Sequence, residues 1–369
     1  MMKREANYNM LTTEEIIETL TPAGNSFFTI NNLDEYANKL SKAGKCISLR
    51  SPDTATLLSY ILYYDNQPEI FISMVWTNPD HRGKGYAGQL LKKMIADSSK
   101  DIILEVNSKN PAKWLYQKLK FKNEREEEER VWMAYRRRLS IMQPYIFPYI
   151  GYFHLIEASE KIVFYDDVNY IKGGWVNRNR ILLNGKAHFF TIPLENASSF
   201  RLIRDTAPLA SGDYKEKFLG QIRSAYLKAP YYKDVLEIIN PLINKVHNSI
   251  ADLAIDSVVS IYNYLGREIN YTRSSVCSPG TKDMNKADRL IAITKEMGYN
   301  KYINPPGGKD LYDKKDFKQQ GIELSFIQSN NTAYRQFSYE YIPWLSIIDV
   351  LMFNDKRSVE EKFADFNIE

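Results

Sequence analysis

Residues 79–87, which read Pro-Asp-His-Arg-Gly-Lys-Gly-Tyr-Ala, constrain the fold of this chain more than any other segment. They follow an apolar run at 70–75 and precede an amphipathic run at 89–96. This order predicts a strand, a glycine-bearing turn and the start of a helix. A helix start offers backbone N–H groups without helical partners and the positive end of the helix dipole, which together suit a diphosphate. We call residues 79–87 the cradle.

Four residues of the cradle support phosphate binding. Gly83 and Gly85 allow the backbone to approach phosphate oxygens closely, and Arg82 and Lys84 add positive charge. A P-loop is excluded, because no Gly-x-x-x-x-Gly-Lys-Ser/Thr string occurs in the chain.

A dinucleotide-binding fingerprint is the alternative interpretation. Gly83-x-Gly85-x-x-Gly88 matches its glycine spacing. The fingerprint also needs an acidic residue about twenty positions later, which Glu105 in the strand-like segment 102–106 provides. Against this alternative, Arg82 heads the turn, and a hairpin precedes the strand.

The cradle also resembles the Arg-x-x-Gly-x-Ala signature of the GCN5-related N-acetyltransferase (GNAT) family, here Arg82, Gly85 and Ala87. Residues 104–121 look like the second half of the core of that family, and the resemblance covers roughly residues 10–137. It implies a mixed sheet with flanking helices, acetyl-CoA as cofactor and transfer of an acetyl group to an amine.

The resemblance implies that backbone N–H groups of the cradle hold the diphosphate of the cofactor, while a strand edge pairs with the pantetheine arm. The implied cofactor-binding residues are Trp76, Thr77, Asn78, Arg82, Gly83, Lys84, Gly85, Tyr86, Ala87 and Asn110.

Two residues are candidates for the chemistry of acetyl transfer. Tyr116 matches the tyrosine of the family that protonates the departing thiolate, although a core aromatic on an amphipathic helix is the alternative. Glu105, or a chain of waters, would accept the proton of the attacking amine.

Composition bounds the remaining possibilities. A chain of 369 residues predicts two domains, and a net charge of +4 is too small to indicate nucleic-acid binding. Cys46 and Cys277 fit no disulfide framework or zinc spacing, and the 4 histidines are scattered, so we expect no metal. No apolar run has the length of a membrane span, and the first residues do not resemble a signal peptide. We expect a cytoplasmic protein without membrane insertion.

Periodicity predicts a GNAT-like domain over 1–137, a second domain of α/β or α+β class over 138–355, and a polar tail over 356–369. In the first domain we expect a helix at 34–43, strands at 45–50, 56–64 and 70–77 with a turn at Asn66-Gln67-Pro68, a helix from Pro111, and a hairpin formed by 124–130 and 131–135. In the second we expect strands at 139–144, 161–165, 189–193 and 322–327, and helices at 216–229, 232–248, 250–265 and 285–297.

Several separate strings in the second domain resemble the WbqC-like family, which is found in gene clusters for bacterial surface polysaccharides. The strings lie at 142–153, 164–168, 175–181, 305–308 and 345–352, and the resemblance covers residues 139–354.

The first strand, helix and second strand of this domain predict a βαβ unit. Ligands bind outside the carboxyl ends of such strands, where Gln143, Tyr145 and Tyr149 would meet Asp166 and Asp167. The paired acids are catalytic candidates that could orient an amine or act as a base; a helix cap or a turn is the alternative.

Further candidate substrate-binding residues of the second domain are Lys172, Asn177, Arg178, Asn179, Arg180, Gly307, Gly308, Tyr334 and Gln336. Arg178 and Arg180 would share one strand face and bind a nucleotide diphosphate; a solvated face is the alternative. The glycine pair permits backbone conformations closed to other residues.

These observations favour a bifunctional acyltransferase that acts on a nucleotide-linked amino sugar for a surface polysaccharide such as O-antigen. The first domain would transfer acetyl from acetyl-CoA, and the second would bind the sugar nucleotide and attach a further small acyl or aminoacyl group. Alternatively, the second domain is a binding or assembly module without its own chemistry. We expect no stable nucleic-acid partner, while an aminoacyl-tRNA donor stays open.

Overall fold

The computed structural model describes residues 11–20, 32–66, 68–210, 213–337 and 340–369. The chain forms two compact units, Met1–Arg137 and Arg138–Glu369, which we call the N-terminal and C-terminal units. Gln67, which the sequence places in a hairpin turn, lies outside the described residues. Both units mix helices and strands, so the predicted α/β class is confirmed.

The N-terminal unit contains one six-stranded sheet in the order β1-β2-β3-β4-β6-β5. Its elements are α1 (Thr13–Leu20), α2 (Leu33–Ala43), β1 (Lys45–Arg50), β2 (Leu57–Asp65), β3 (Glu69–Thr77), α3 (Tyr86–Asp97), β4 (Asp101–Asn107), α4 (Ala112–Lys118), β5 (Lys122–Glu127) and β6 (Arg130–Tyr135). Neighbouring strands are antiparallel except for β3 and β4, which are parallel.

Apolar side chains cover both faces of this sheet, because successive strand residues point to opposite sides. Ile70 and Ile72 of β3 belong to a core that includes Leu90 of α3. On the other face, Met74 belongs to a core that includes Ile16 of α1. The sheet is therefore a middle layer between helices.

Strands β3 and β4 separate part-way along their length. They pair from Glu69 opposite Asp101 to Ile72 opposite Leu104, and each strand continues beyond the last pair. The register between β2 and β3 shifts at the same level and leaves Ser73 as an extra residue. Such a bulge bends its strand, which explains why β3 departs from β4 there.

The C-terminal unit contains a six-stranded sheet in the order β11-β8-β7-β12-β13-β14 and a separate hairpin of β9 and β10. Its elements are β7 (Leu139–Met142), α5 (Ile150–Ala158), β8 (Lys161–Phe164), β9 (Arg178–Leu183), β10 (Lys186–Thr191), α6 (Tyr214–Tyr226), α7 (Tyr232–Asn244), α8 (Ile250–Tyr264), β11 (Tyr271–Arg273), α9 (Ser274–Cys277), α10 (Lys286–Glu296), β12 (Lys301–Asn304), α11 (Lys314–Gln319), β13 (Glu323–Ser329), α12 (Ile347–Phe353), α13 (Lys356–Phe363) and β14 (Phe366–Ile368).

Five strands of this sheet run parallel, and β14 is antiparallel to them. From β7, the strands β8 and β11 are added on one side of the sheet, and β12 pairs with the other side of β7. The order therefore reverses between β7 and β12, which makes this position the topological switch point. The predicted βαβ unit is present as β7, α5 and β8.

The polar tail predicted over 356–369 is wrong. These residues form α13 and then β14, which pairs with β13 so that Ile368 lies opposite Ile327. Val359 and Phe363 are fully buried. The segment looks polar in sequence because its charges occupy the exposed side of one short amphipathic helix.

Candidate functional site

The cradle lies between β3 and α3, as its sequence predicts. Gly83 has a φ of +75° and Gly85 a φ of +81°, in the left-handed region that glycine favours. A Cβ built on either residue would meet no described atom within 4 Å. Packing within the unit therefore does not require glycine here. The need for glycine comes instead from the backbone conformation or from the approach of a ligand.

Helix α3 begins with Gly85 as its N-cap, which has no side chain to satisfy the leading N–H groups. Within the helix, the Gln89 N–H donates back to the Gly85 carbonyl at 3.0 Å. Arg82 and Lys84 are exposed beside this end. The turn thus combines helix-start N–H groups, the helix dipole and two cations, an arrangement that suits an anion.

The side chains at the end of β3 are engaged within the unit. The Trp76 ring stacks on Tyr60 with 5.3 Å between centroids, and the Thr77 hydroxyl lies 3.0 Å from the Ser59 hydroxyl. The Asn78 side chain accepts a hydrogen bond from the Asp80 N–H at 3.1 Å. The main chain is also partly used, since the Asn78 N–H donates to the Leu58 carbonyl at 2.9 Å and the Trp76 carbonyl accepts from the Ser59 hydroxyl at 2.6 Å. The ring N–H of Trp76 has no acceptor among the described residues.

The split between β3 and β4 opens a cavity of about 630 Å³, which we call the gap cavity. It is lined by both strands around the split, by α2, and by Asn110, Tyr116 and Arg130. The Asn110 side chain accepts from the Ala112 N–H at 2.9 Å and so caps α4. The structure therefore brings the predicted residues Glu105, Asn110 and Tyr116 to one cavity.

Tyr116 is only 6% exposed and packs with Leu104 and Val106 on the α3 side of the sheet. Burial raises the pKa of its phenol well above the ordinary value. The hydroxyl is consequently protonated at neutral pH and available as a proton donor. The ring is thus a core aromatic and a wall of the gap cavity at once.

Glu105 approaches the gap cavity from the opposite face of β4, because it alternates with Leu104 and Val106. Its Oε1 lies 3.1 Å from a guanidinium nitrogen of Arg130. Glu35, Tyr36 and Lys39 of α2 line the same side. The sequence does not single these residues out, because only the sheet and helix packing places α2 beside β4.

In the C-terminal unit, Asp166 and Asp167 are buried and fully hydrogen-bonded. Asp166 accepts from the N–H and hydroxyl of Ser275 at 3.1 and 2.8 Å and from the Ser274 hydroxyl at 3.2 Å. Asp167 accepts from the Ser274 hydroxyl and pairs with Arg289 at 2.7 Å. Every carboxylate oxygen has a donor, so these contacts favour a structural role over the predicted catalytic one.

Asn177 also serves the fold instead of a ligand. It accepts from the Tyr170 hydroxyl at 2.8 Å and donates to the Ile192 carbonyl at 2.8 Å. Its prediction as a substrate-binding residue is corrected on this ground, because a buried amide with both ends paired has little left for a substrate. Lys172 lies on an exposed turn.

Arg178 and Arg180 share one side of β9, as strand alternation predicts. Arg178 donates to the carbonyls of Gly173 and Gly174, and its guanidinium covers the Phe189 ring at 4.8 Å. Arg180 donates to the Trp344 carbonyl at 3.0 Å.

A second cavity, of about 330 Å³, brings four aromatic side chains together, and we call it the aromatic cavity. Its lining residues are Tyr145, Tyr149, Trp175, Asn179, Arg180 and Trp344. Neither Trp175 nor Trp344 is predicted as a site residue from the sequence. Trp175 precedes the Asn-Arg-Asn-Arg string, but it lies before β9, where strand alternation does not apply.

Tyr334 and Gln336, predicted to bind sugar, instead surround the fully buried Asp349. Its carboxylate accepts from the hydroxyls of Tyr334 and Tyr226 at 2.6 and 2.8 Å and from the Gln336 amide at 2.7 Å. Burial raises the pKa of Asp349, and the three donors oppose that effect. The role of Tyr334 and Gln336 is therefore corrected to holding α12 in the core.

We expect Asp349→Ala to lower the free energy of unfolding by about 3 kcal/mol, since the Tyr226 and Tyr334 hydroxyls lose their acceptor and the Gln336 amide loses one of its two acceptors. Urea denaturation measures the change, with Asp283→Ala on the exposed surface as control. A loss under about 1 kcal/mol, within the range of ordinary substitutions, would contradict this account.

The glycine pair at 307–308 does not adopt a glycine-only conformation, contrary to expectation. Both residues lie in a short 3-10 turn, and neither has a positive φ. Gly308 is needed for another reason, because a Cβ there would lie 2.5 Å from the Asn304 side-chain nitrogen. Gln143 is half-buried at the end of β7, next to the switch point.

Comparison with protein families assigns both units. The model of the WbqC-like protein family matches residues 143–361, more than half of the chain. The chain belongs to the WbqC-like protein family. In this WbqC-like protein, the model of an acetyltransferase (GNAT) domain matches residues 16–136.

The individual proteins and structures that resemble this chain have low sequence identity to it. The uncharacterized protein Rv1507c of Mycobacterium tuberculosis is 24% identical over 218 residues, covering 58% of this chain and 93% of that protein. An acetyltransferase of Bacillus subtilis, solved with CoA, is 17% identical, covers 36% of this chain and 97% of that one, and has a TM-score of 0.30. Arabidopsis thaliana NAA60, solved with acetyl-CoA, is 13% identical, with coverages of 36% and 98% and a TM-score of 0.29.

Topology excludes the dinucleotide alternative for the cradle of the WbqC-like protein. A dinucleotide fold needs a mostly parallel sheet, whereas β3 and β4 are the parallel pair of an otherwise antiparallel one. Among the residues that the structure describes, no cluster of three or more His, Cys, Asp or Glu could hold a metal ion. None of the described helices has the length and hydropathy of a membrane span.

Proposed function

We propose that the N-terminal unit transfers the acetyl group of acetyl-CoA to the amine of a nucleotide-linked amino sugar, a precursor of a bacterial surface polysaccharide. The observation that carries this proposal is the gap cavity, where the β3–β4 split brings Tyr116 and Glu105 to opposite walls. The match to an acetyltransferase (GNAT) domain supports the reaction type.

In the proposed binding mode, N–H groups of the cradle bind the diphosphate of acetyl-CoA, and Arg82 and Lys84 neutralise its charge. The pantetheine arm lies along the main chain of β3 beyond Ile72, where β4 no longer pairs with it. This position leads the thioester into the gap cavity.

The proposed chemistry is direct transfer. The amine nitrogen attacks the thioester carbonyl and forms the amide bond, while the carbon–sulfur bond breaks. Glu105 accepts the proton that the nitrogen loses, and Tyr116 donates a proton to the departing thiolate. The products are the N-acetylated sugar nucleotide and CoA.

For the C-terminal unit we propose binding of the same sugar nucleotide. A site for the acceptor on the chain that carries the acetyl donor raises its effective concentration. A second acyl or aminoacyl transfer by this unit stays a prediction. Asp166 and Asp167, the two bases that the sequence suggests for it, are engaged by Ser274, Ser275 and Arg289.

The proposal is tested by incubating the full chain with acetyl-CoA and a panel of amino-sugar nucleotides that differ in the position of the amine. Mass spectrometry is expected to show the gain of one acetyl group on at least one of them, with release of one CoA. The absence of any acetylated product across the panel would overturn the proposed acceptor, and absence of acetyl-CoA binding would overturn the acetyl transfer itself.

Glu105→Gln is expected to lower kcat about 100-fold, the scale of a lost general base, with unchanged affinity for acetyl-CoA. The loss should be smaller at high pH, where more of the amine is already deprotonated. Steady-state kinetics across pH measure this, and Glu126→Gln on the exposed face of β5 is the control. A kcat equal to that of the control would remove Glu105 from the mechanism.

A further inference from the structure

The aromatic cavity takes two of its lining residues from the loop that follows β7, one of the two strands at the switch point of the C-terminal sheet. The loop 143–149 leaves β7 at this point and carries Tyr145 and Tyr149 into the cavity. In open α/β sheets, ligands bind outside the carboxyl ends of the strands at the switch point. The volume of about 330 Å³ falls at the lower end of the range for small-molecule sites.

Two loops of the cavity hold aromatic residues in an unfavourable backbone conformation. Phe147 has a φ of +39° and Trp344 a φ of +58°, which bulky residues rarely adopt. Hydrogen bonds hold both in place: the Asn179 amide donates to the Phe147 carbonyl at 2.9 Å, and Arg180 donates to the Trp344 carbonyl at 3.0 Å. Ser346 joins the two loops, since its hydroxyl donates to the Phe147 carbonyl at 2.6 Å. Strain maintained in this way is typical of a site shaped for a ligand.

Two tryptophan rings in the cavity are partly exposed to solvent. Trp175 is 39% exposed and Trp344 is 40% exposed, although tryptophan is normally well buried. The Tyr149 and Trp344 rings pack edge-to-face with 5.8 Å between their centroids. Burial raises the pKa of Tyr145 to about 12 and also raises the pKa of Tyr149, so both tyrosines stay neutral. Such walls suit stacking with a base or a sugar ring.

Arg180 gives the cavity its charge. Of the described residues that line the cavity, Arg180 is the one with a charged side chain, and none of these residues is acidic. Its guanidinium covers the Trp175 ring at 5.6 Å, which aligns the cation with the aromatic wall. The buried Nε of Arg180 has no hydrogen-bond acceptor among the described residues. A guanidinium in a lining without an acid favours an anionic ligand.

We propose that the aromatic cavity binds a nucleoside diphosphate, with the base against the tryptophan rings and the diphosphate against Arg180. The proposal rests on the sugar-nucleotide acceptor of the proposed function, and it names where that acceptor is held. It adds Trp175 and Trp344 to the residues of the site and assigns Arg180 to the diphosphate.

The test is isothermal titration of the full chain with UDP, GDP, CDP, dTDP and ADP, and separately with the free nucleoside and with inorganic pyrophosphate. At least one diphosphate is expected to bind with a Kd of about 0.1 mM or tighter, and more tightly than either fragment. Arg180→Gln should weaken the diphosphate at least tenfold and the nucleoside much less, since Arg180 also donates to the carbonyl that holds the Trp344 loop. Trp175→Leu removes none of the hydrogen bonds that hold the loops. It should weaken the binding of the nucleoside diphosphate and of the free nucleoside.

Phe200→Ala is the control, because Phe200 is 92% exposed and does not line the cavity. Each variant is also titrated with acetyl-CoA. The cavity proposal alone is overturned if the chain binds acetyl-CoA but no nucleoside diphosphate. It is also overturned if acetyl-CoA binding is intact and Trp175→Leu binds the nucleoside diphosphate as tightly as Phe200→Ala does. Nucleotide binding without acetyl-CoA binding counts against the acetyl transfer and leaves the cavity proposal in place.

Discussion

Replacing Gly83 and Gly85 together by alanine is expected to lower the affinity for acetyl-CoA about 100-fold or more, which corresponds to losing at least one hydrogen bond to a charged group. Each alanine would strain a backbone at φ near +75° or +81° and place a methyl group on the open side of the turn. The N–H groups that face the diphosphate would then be displaced or covered. Isothermal titration with acetyl-CoA measures the effect.

The chain should stay folded in this variant, because neither added methyl group meets a described atom within 4 Å. The cost to folding is about 1–2 kcal/mol per residue, from the left-handed backbone alone. Gly321→Ala is a matched control, since Gly321 has a φ of +77° and equally open surroundings but lies after α11. If the double variant binds acetyl-CoA as the control does, the cradle is not the cofactor site.

Tyr116→Phe is expected to lower kcat about 100-fold and to leave the affinity for acetyl-CoA unchanged, the signature of a lost general acid. The ring keeps its packing, so the fold should tolerate the change. Because burial raises the pKa of this phenol, its protonated form persists above the ordinary tyrosine value. The wild-type rate should therefore show no decline from this group below about pH 10.

Tyr63→Phe is the control for this experiment. Tyr63 is buried in the same core and does not line the gap cavity, so its hydroxyl should not affect kcat. An alkaline decline of kcat near neutral pH in the wild type, or equal kcat for the two variants, would contradict the role of Tyr116 as proton donor.

Local patterns in the sequence predicted much of the architecture. Two glycines between an apolar run and an amphipathic run predict a strand, a turn and a helix, and the structure has β3, the cradle and α3 there. The βαβ start of the C-terminal unit follows from periodicity in the same way. These features depend on residues that are neighbours in the chain, so the order of residues alone fixes them.

Residues whose partners are distant in sequence were assigned less well. Tyr334 and Gln336 look like sugar-binding residues until Asp349 is seen to accept from both. Asp167 looks like a free acid until Arg289, more than a hundred residues later, is seen beside it. Sequence cannot distinguish a paired polar group from an available one, because pairing is a property of the packed chain.

Sequence alone determined that this protein carries a phosphate-suited turn ahead of a helix and a second αβ segment rich in aromatic and cationic strings. Only the tertiary structure decided which of those side chains are available to a ligand. The split of β3 from β4 brings Glu105 and Tyr116 to one cavity, and the loops after β7 and before α12 bring Trp344 to Arg180. Such sites arise where two strands stop pairing or where the strand order of a sheet reverses. Neither feature can be predicted from a local segment of sequence, because both depend on contacts between distant segments.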